Sequence, residues 1–220
     1  MSSIEILSET TKNPLQLIGT TSAICYNSST DDKDKNIQRA LDCINSGHWR
    51  VLEWVNISLK VSASAKCIRE LMRHIVGTSV LQSSTRYIDY EKGFIAVTPK
   101  TVLETKGAFE VWNNTINAIQ NGMTKLKELG VAKEDYTNLL PLAYETEIVW
   151  KINLRSLVNF FNQRLCNRAY WEIRELANFI KFGLCNYSDE WKIISDRLFV
   201  PKCIAQGKCV EKKSCGAFKK

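Results

Sequence analysis

No stretch of the 220 residues approaches the roughly 20 consecutive apolar positions that a membrane-spanning helix requires. The longest apolar runs, LVNFF and EIVWKI, are cut short by charge, so neither a membrane anchor nor a membrane partner is expected. The opening MSSIEILSETTK lacks a basic segment followed by an apolar one; no secretory leader is read there, and a cytoplasmic protein is expected. Histidine is scarce, with only His48 and His74 in the chain. Paired metal-ligand spacing is lacking as well. Cys203, Cys209 and Cys215 stand with five residues between neighbours and no histidine nearby, whereas structural zinc ligands pair two to four residues apart; no metal is expected. The eight cysteines are scattered through a chain of ordinary core content, which reads as free thiols rather than a disulfide framework. A basic stripe interleaved with aromatics is also missing. Of the net charge of +7, the segment from Lys208 to Lys220 carries +4, from five lysines against Glu211. That tail is a solubilising end rather than a nucleic-acid surface, while a mononucleotide, which needs one or two arginines, stays open.

What the chain does have is enough apolar content, 45%, for one large domain over residues 1–200, followed by a basic cysteine-containing tail over 201–220. Helices and strands alternate without internal repeats or low-complexity segments. Residues 15–26 are apolar and buried, 28–36 form a polar loop and 36–44 a short helix. The alternation in VLEWVNISLKVSA makes 50–63 a strand, and 65–74 is helical. Residues 87–98 read as a strand or hairpin turning at Lys92-Gly93, 102–130 as one long helix ended by glycine, and 143–152 as a further strand. Helices follow over 153–165 and 169–184. The fold class is α+β, long helices around a sheet.

Two segments concentrate hydrogen-bonding side chains. In ELMRHIVGTSVLQSSTRYIDY (70–90), an Arg-His pair closes a helix, and glycine, hydroxyl residues, Gln82 and Arg86-Tyr87 follow. In NLRSLVNFFNQRL (153–165), Leu154, Leu157, Val158, Phe161 and Leu165 form a core stripe. Arg155, Asn159 and Asn162 line one edge of that helix, Asn153 and Arg164 the other. Asparagine and arginine offer fixed-geometry donors and acceptors suited to phosphates and heterocycle edges. The same residues also suit a plain solvated face, and the helix alone does not choose.

ELMRHIVGTSVLQSSTRY resembles the signature of the flavin-dependent thymidylate synthases, the ThyX family, in which Arg-His-Arg opens a loop leading to Ser-x-Arg-Tyr. HWRVLEW, LLPLAYETEIVWKINLRSLVNFFNQRL and CNRAYWEIRELA resemble further blocks of that family in the same order, so the likeness spans nearly the whole chain. The resemblance implies a ThyX-like fold with a twisted, mostly antiparallel sheet. It also implies a homotetramer that methylates C5 of dUMP, with methylenetetrahydrofolate as carbon donor and FAD, reduced by NADPH, as hydride carrier. Carried over by residue, Arg73, His74, Ile75, Arg50, Asn153, Arg155 and Asn159 would meet FAD. Glu70, Gln82, Ser84, Arg86 and Arg164 would hold the nucleotide. Arg164, His48 and Ser84 form the expected catalytic set, with Arg164 facing the pyrimidine and favouring its N3-ionised form.

The departures locate where chemistry has changed. Ile75 replaces the last arginine of Arg-His-Arg, Trp54 replaces a histidine, and Arg50 stands where the family has Ser or Thr. Thr137 occupies the place of a nucleotide-contacting arginine, Ser83 that of an acidic residue, and Glu70 that of a glutamine. Ser83 competes with Ser84 for the motif position; Ser84 keeps Ser-x-Arg-Tyr intact. At Glu70 a carboxylate only accepts hydrogen bonds, which suits the amino group of cytosine over O4 of uracil if it meets the base, and means little if it meets solvent. Three readings remain: dUMP methylation, the same chemistry (methyl or hydroxymethyl transfer) on dCMP or UMP, and a non-catalytic nucleotide-binding homologue.

Overall fold

The computed structural model describes residues 2–88, 90 and 93–218. In chain order, two short 3-10 turns at Ile24–Tyr26 and Thr137–Leu139 aside, its elements are β1 (Ser3–Ile6), α1 (Pro14–Ala23), α2 (Lys33–Asn45), a 3-10 helix (Trp49–Trp54), β2 (Asn56–Ser64), α3 (Ala65–Leu71) and β3 (Thr78–Gln82). Then come α4 (Lys100–Glu104), α5 (Ala108–Glu128), α6 (Lys133–Tyr136), β4 (Glu145–Asn153), α7 (Leu154–Arg164), α8 (Trp171–Tyr187), α9 (Asp189–Leu198) and α10 (Lys202–Ala205). The strands form one antiparallel sheet in the order β1-β2-β4-β3. The expected α+β class with an antiparallel sheet among long helices is observed.

The core grows from strand alternation. Ile57, Leu59, Val61 and Ala63 of β2 are buried, and their cross-strand partners on β4 include Ile152, Trp150 and Ile148. Such β-branched and aromatic pairs are the unit of sheet stabilisation. Helix α7 lays its apolar stripe on this sheet, and Leu154, Leu157, Val158 and Phe161 are buried while Leu165 is partly so. The stripe is wider than its periodicity indicates. Phe160 is also fully buried, with its ring 5.3 Å from Trp150. Helix α1 packs on α2 so closely that a Cβ on Gly19 would lie 2.0 Å from the Asn36 carbonyl oxygen. Asn13 gives the start of α1 no side-chain cap; the Glu190 carboxylate on α9 accepts the Leu15 and Gln16 N–H groups at 2.7 and 3.1 Å instead. A distant carboxylate thereby takes the place of a local cap at the positive end of the helix dipole.

Several sequence-based boundaries need correction. Residues 49–54 are 3-10 helix rather than the start of a strand. Helix α2 begins at Lys33 because Asp32 caps it, accepting the Lys35 N–H at 3.0 Å, so the polar loop is shorter than expected. The expected helix 102–130 is two, broken between Glu104 and Ala108. TSVLQ, read as loop, is the edge strand β3, and Ser3–Ile6 is a strand where none was read. Of the hairpin expected over 87–98, the turn at Lys92 lies outside the described residues; the described part contributes a single bridge between Ala96 and Tyr144. Among the described residues no helix is long and apolar enough to cross a membrane, and no group of three or more His, Cys, Asp or Glu is arranged to hold a metal ion.

Candidate functional site

Helix α3 presents Glu70, and Arg73 and His74 follow its end. Its start is held twice over. Ser64 caps it, its hydroxyl oxygen accepting the Cys67 N–H at 3.1 Å. Ser64 is fixed in turn by the fully buried Glu172 of α8, whose carboxylate accepts the Ser64 N–H at 2.8 Å and the Ser64 hydroxyl. Glu172 also accepts the hydroxyls of Ser2 at 3.0 Å and Tyr170 at 3.3 Å. A buried carboxylate persists only where donors surround it, and these meet that requirement. Burial, and then the Glu172 charge, push the Tyr170 phenol and the Cys67 thiol well above their ordinary ranges. Cys67 is therefore an inert core thiol.

At the other end of α3, Arg164 arrives from the last turn of α7. Its Nε–H donates to His74 Nε2 at 2.9 Å, one terminal nitrogen donates to the Glu70 carboxylate at 3.0 Å, and the other donates to the Glu70 carbonyl at 3.1 Å. The Arg164 side chain is 14% exposed. A guanidinium has five N–H donors, so with three engaged it is oriented and still has donors to offer. It also borders a cavity of about 450 Å³ that the tail helps to enclose. His74 is 9% exposed and meets Phe160 edge-on at 5.1 Å. Burial, followed by the Arg164 charge, lowers its pKa from 6.5 to about 4, so the ring is neutral near pH 7. Because Nε2 accepts, the ring proton sits on Nδ1. Glu70 also pairs with the largely exposed Arg73 at 3.5 Å.

The segment after His74 docks on the start of α7. Asn153 caps that helix, accepting the Ser156 N–H at 2.9 Å, and its own N–H donates to the Gly77 carbonyl at 3.0 Å. Gly77 has φ +66°, and a Cβ there would lie 2.2 Å from Asn153 Nδ2 and 2.7 Å from Ser156 Oγ. Asn153 and Arg164, read on one helix edge from sequence, thus both face residues 70–77. On the other side Arg155 pairs with Glu53 of the 3-10 helix at 2.6 Å, and Asn159 accepts from Gln163 at 3.2 Å. His48, just before that 3-10 helix, and Arg50, within it, are exposed.

Ser84, Gln82 and Arg86 form a third group. Gln82 closes β3, donating to Thr146 at 3.4 Å. Ser83 is locked to the edge of β4, its hydroxyl 2.9 Å from that of Thr146 and its N–H on the Glu147 carbonyl. Ser84 opens a turn, its carbonyl accepting the N–H groups of Tyr87 and Ile88. Arg86 reaches Glu134 of α6 at 3.0 Å. Thr137 is buried, with its hydroxyl on the Lys133 carbonyl at 2.8 Å. The fold thus joins Glu70, Arg73, His74 and Arg164 directly, while Arg155 is paired with Glu53 and Arg86 with Glu134 in separate groups. Sequence reading missed Glu172, Ser64, Gly77, Glu53 and Phe160. Glu53, Gly77, Phe160 and Glu172 lie inside the blocks quoted above, but nothing local in those blocks marks their contacts.

A family model described as thymidylate synthase complementing protein matches residues 6–182. A protein of Pyrococcus furiosus named flavin-dependent thymidylate synthase is 30% identical over 216 residues, covering 92% of this chain and 87% of its own. One of the same name from Geobacter sulfurreducens is 32% identical over 176 residues, covering 76% and 75%. The crystal structure of the UMP/dUMP methylase PolB from Streptomyces cacaoi, bound with 5-Br dUMP, superposes with a TM-score of 0.76 at 16% identity, covering 91% of this chain and 97% of that one. At that identity the likeness is one of fold.

Proposed function

Because the chain belongs to the Thy1 family, that of the flavin-dependent thymidylate synthases, we propose that it transfers a one-carbon unit to C5 of a pyrimidine deoxynucleotide, converting dUMP to dTMP. FAD is the proposed hydride carrier, NADPH its reductant and methylenetetrahydrofolate the carbon donor. The observation that carries the reading is the fixed Arg164, held by His74 and by two oxygens of Glu70 with N–H donors to spare. A cation oriented in advance stabilises negative charge on the pyrimidine ring with little reorganisation, and that charge is what makes C5 nucleophilic. Neutral His74 serves as the acceptor that aims it. Ser84 and Arg86, at the turn beyond β3, would hold the sugar and phosphate, and His48 would meet the flavin.

The residues present fit FAD. Arg73 and Arg155 turn largely exposed guanidinium groups outward, each with a single carboxylate partner, which suits a diphosphate. Trp54 and Ile75 are exposed apolar surfaces beside them, at 65% and 77%, which suits a flat ring. Arg73, His74, Ile75, Arg50, Asn153, Arg155 and Asn159 would hold the cofactor, and bound there it would supply the hydride. Asn153 would do so from Nδ2, since its N–H donates to the Gly77 carbonyl and its Oδ1 caps α7.

Self-assembly into a homotetramer with shared sites belongs to the same proposal. Helix α5 buries only Met123, and Val76, Leu81 and Tyr87 are exposed around the candidate site. Surface of that kind is covered by a partner. Light scattering should give four chains; a monomer with full flavin binding refutes the assembly.

The central test adds FAD to purified protein, follows binding by the flavin absorbance, and measures methyl transfer to dUMP for the parent and Arg164→Ala. Removing the donor should lower turnover by about a hundredfold to a thousandfold, and Arg155→Ala should weaken FAD binding. Parental turnover in Arg164→Ala refutes its role. A parent that binds no flavin favours the non-catalytic homologue.

A further inference from the structure

We propose that Glu70 makes the candidate site a receptor for 4-aminopyrimidine nucleotides, so that dCMP is bound alongside dUMP. This deepens the proposed function and rests on its placement of the pyrimidine at Arg164.

Glu70 is held directly beside the Arg164 guanidinium, to which the proposed function assigns the base edge. Its carboxylate lies 3.0 Å from one Arg164 terminal nitrogen, its carbonyl accepts from the other, and Arg73 flanks it at 3.5 Å. The carboxylate therefore cannot swing away without breaking two ion pairs, and the Glu70 side chain is still 30% exposed. An ionised carboxylate has about four lone-pair positions, and the two arginines leave room for a further donor. Arg164 offers only donors and Glu70 only acceptors, so the pair presents a donor and an acceptor side by side.

Cytosine matches that arrangement as it stands. Its ring N3 accepts from Arg164 while the exocyclic amino group donates to Glu70, the pairing by which carboxylates read cytosine elsewhere. Neutral uracil matches in a shifted register, with O4 on Arg164 and N3–H on Glu70. Once N3 loses its proton, however, the uracil edge is all acceptor and faces a carboxylate that is also all acceptor. Like charge at this distance disfavours the ionised form. Glu70 thus weakens the state that Arg164 is placed to favour in uracil, and fits cytosine without any change of protonation.

The test is calorimetric titration of the protein with dCMP and with dUMP, with and without FAD, for the parent and for Glu70→Gln. The substitution keeps the size of the side chain and replaces the carboxylate by an amide that both donates and accepts. The parent should bind both nucleotides, and the affinity ratio of dCMP to dUMP should fall by about tenfold to a hundredfold in Glu70→Gln, the discrimination of one good base-edge pairing. An unchanged ratio overturns the proposal. So does a parent that binds dUMP alone, an outcome that needs no variant to fold and leaves the proposed function standing. Binding of neither nucleotide overturns both.

Discussion

Replacing Gly77 by alanine tests the joint between the candidate site and α7, and its cost can be assembled from parts. The backbone there has φ +66°, a left-handed conformation that charges a residue with a Cβ roughly 1 kcal/mol or more. The added carbon would also come within 2.2 Å of Asn153 Nδ2 and 2.7 Å of Ser156 Oγ. Asn153 must then turn away, and its cap on Ser156 is lost at about 1 kcal/mol. Together these give about 2–3 kcal/mol, or a fall of about 5–10 °C in Tm for a chain of this length. Gly130→Ala separates the two contributions. Gly130 has φ +83° with nothing within 4 Å of the added carbon, so it should show the backbone cost alone, about 2–4 °C. Thermal unfolding of both variants beside the parent is the assay. If Gly77→Ala costs no more than Gly130→Ala, the Asn153 contact contributes nothing and the account of this joint is wrong.

His74 should make stability depend on pH. Its folded pKa of about 4 lies below the ordinary 6.5, so between those values the unfolded chain binds the proton that the folded chain refuses. The contribution is complete above about pH 6.5 and is lost on acidifying toward pH 4. The shift bounds it at about 3 kcal/mol, and solvent screening reduces that to about 1–2 kcal/mol. Urea midpoints at two pH values should therefore change less in His74→Gln than in the parent; equal changes refute it. Glu190→Ala strips both N–H partners from the start of α1 and should cost about 1–2 kcal/mol. Glu190→Gln, whose amide oxygen still accepts, should recover part of it; thermal unfolding that leaves all three proteins alike would sink this capping role.

Local pattern was enough wherever burial imposed a period. The α7 stripe and the alternation of β2 and β4 could be read because the sheet buries one face of each. Strand β3 could not. Leu81 is 77% exposed, and the strand owes its form to the edge of β4 rather than to a buried face of its own. The 3-10 helix at 49–54 has a strand's composition and reads as one, since alternation over a few residues does not exclude a tight helix. At the candidate site, His74 and Arg164 could be named from sequence, but not that they touch, because 90 residues separate them. Glu172 was invisible for the same reason. Its partners Ser2 and Ser64 stand 170 and 108 positions away, and nothing in a local window distinguishes a buried glutamate on an amphipathic helix from a solvated one.

The strand order β1-β2-β4-β3 also bears on how the chain is made. β4 lies between β2 and β3, yet it is translated after both, beyond residue 144. Until it leaves the ribosome, β2 has only β1 beside it and β3 has no strand to pair with, and Glu70 waits for a guanidinium about 90 residues further along the message. One edge of β2 and the whole of β3 must therefore wait unpaired while nearly two thirds of the polypeptide is synthesised, exposed to other nascent chains. Codon usage or chaperone supply over the stretch that encodes β4 and α7 should govern recombinant yield more than any change upstream of it.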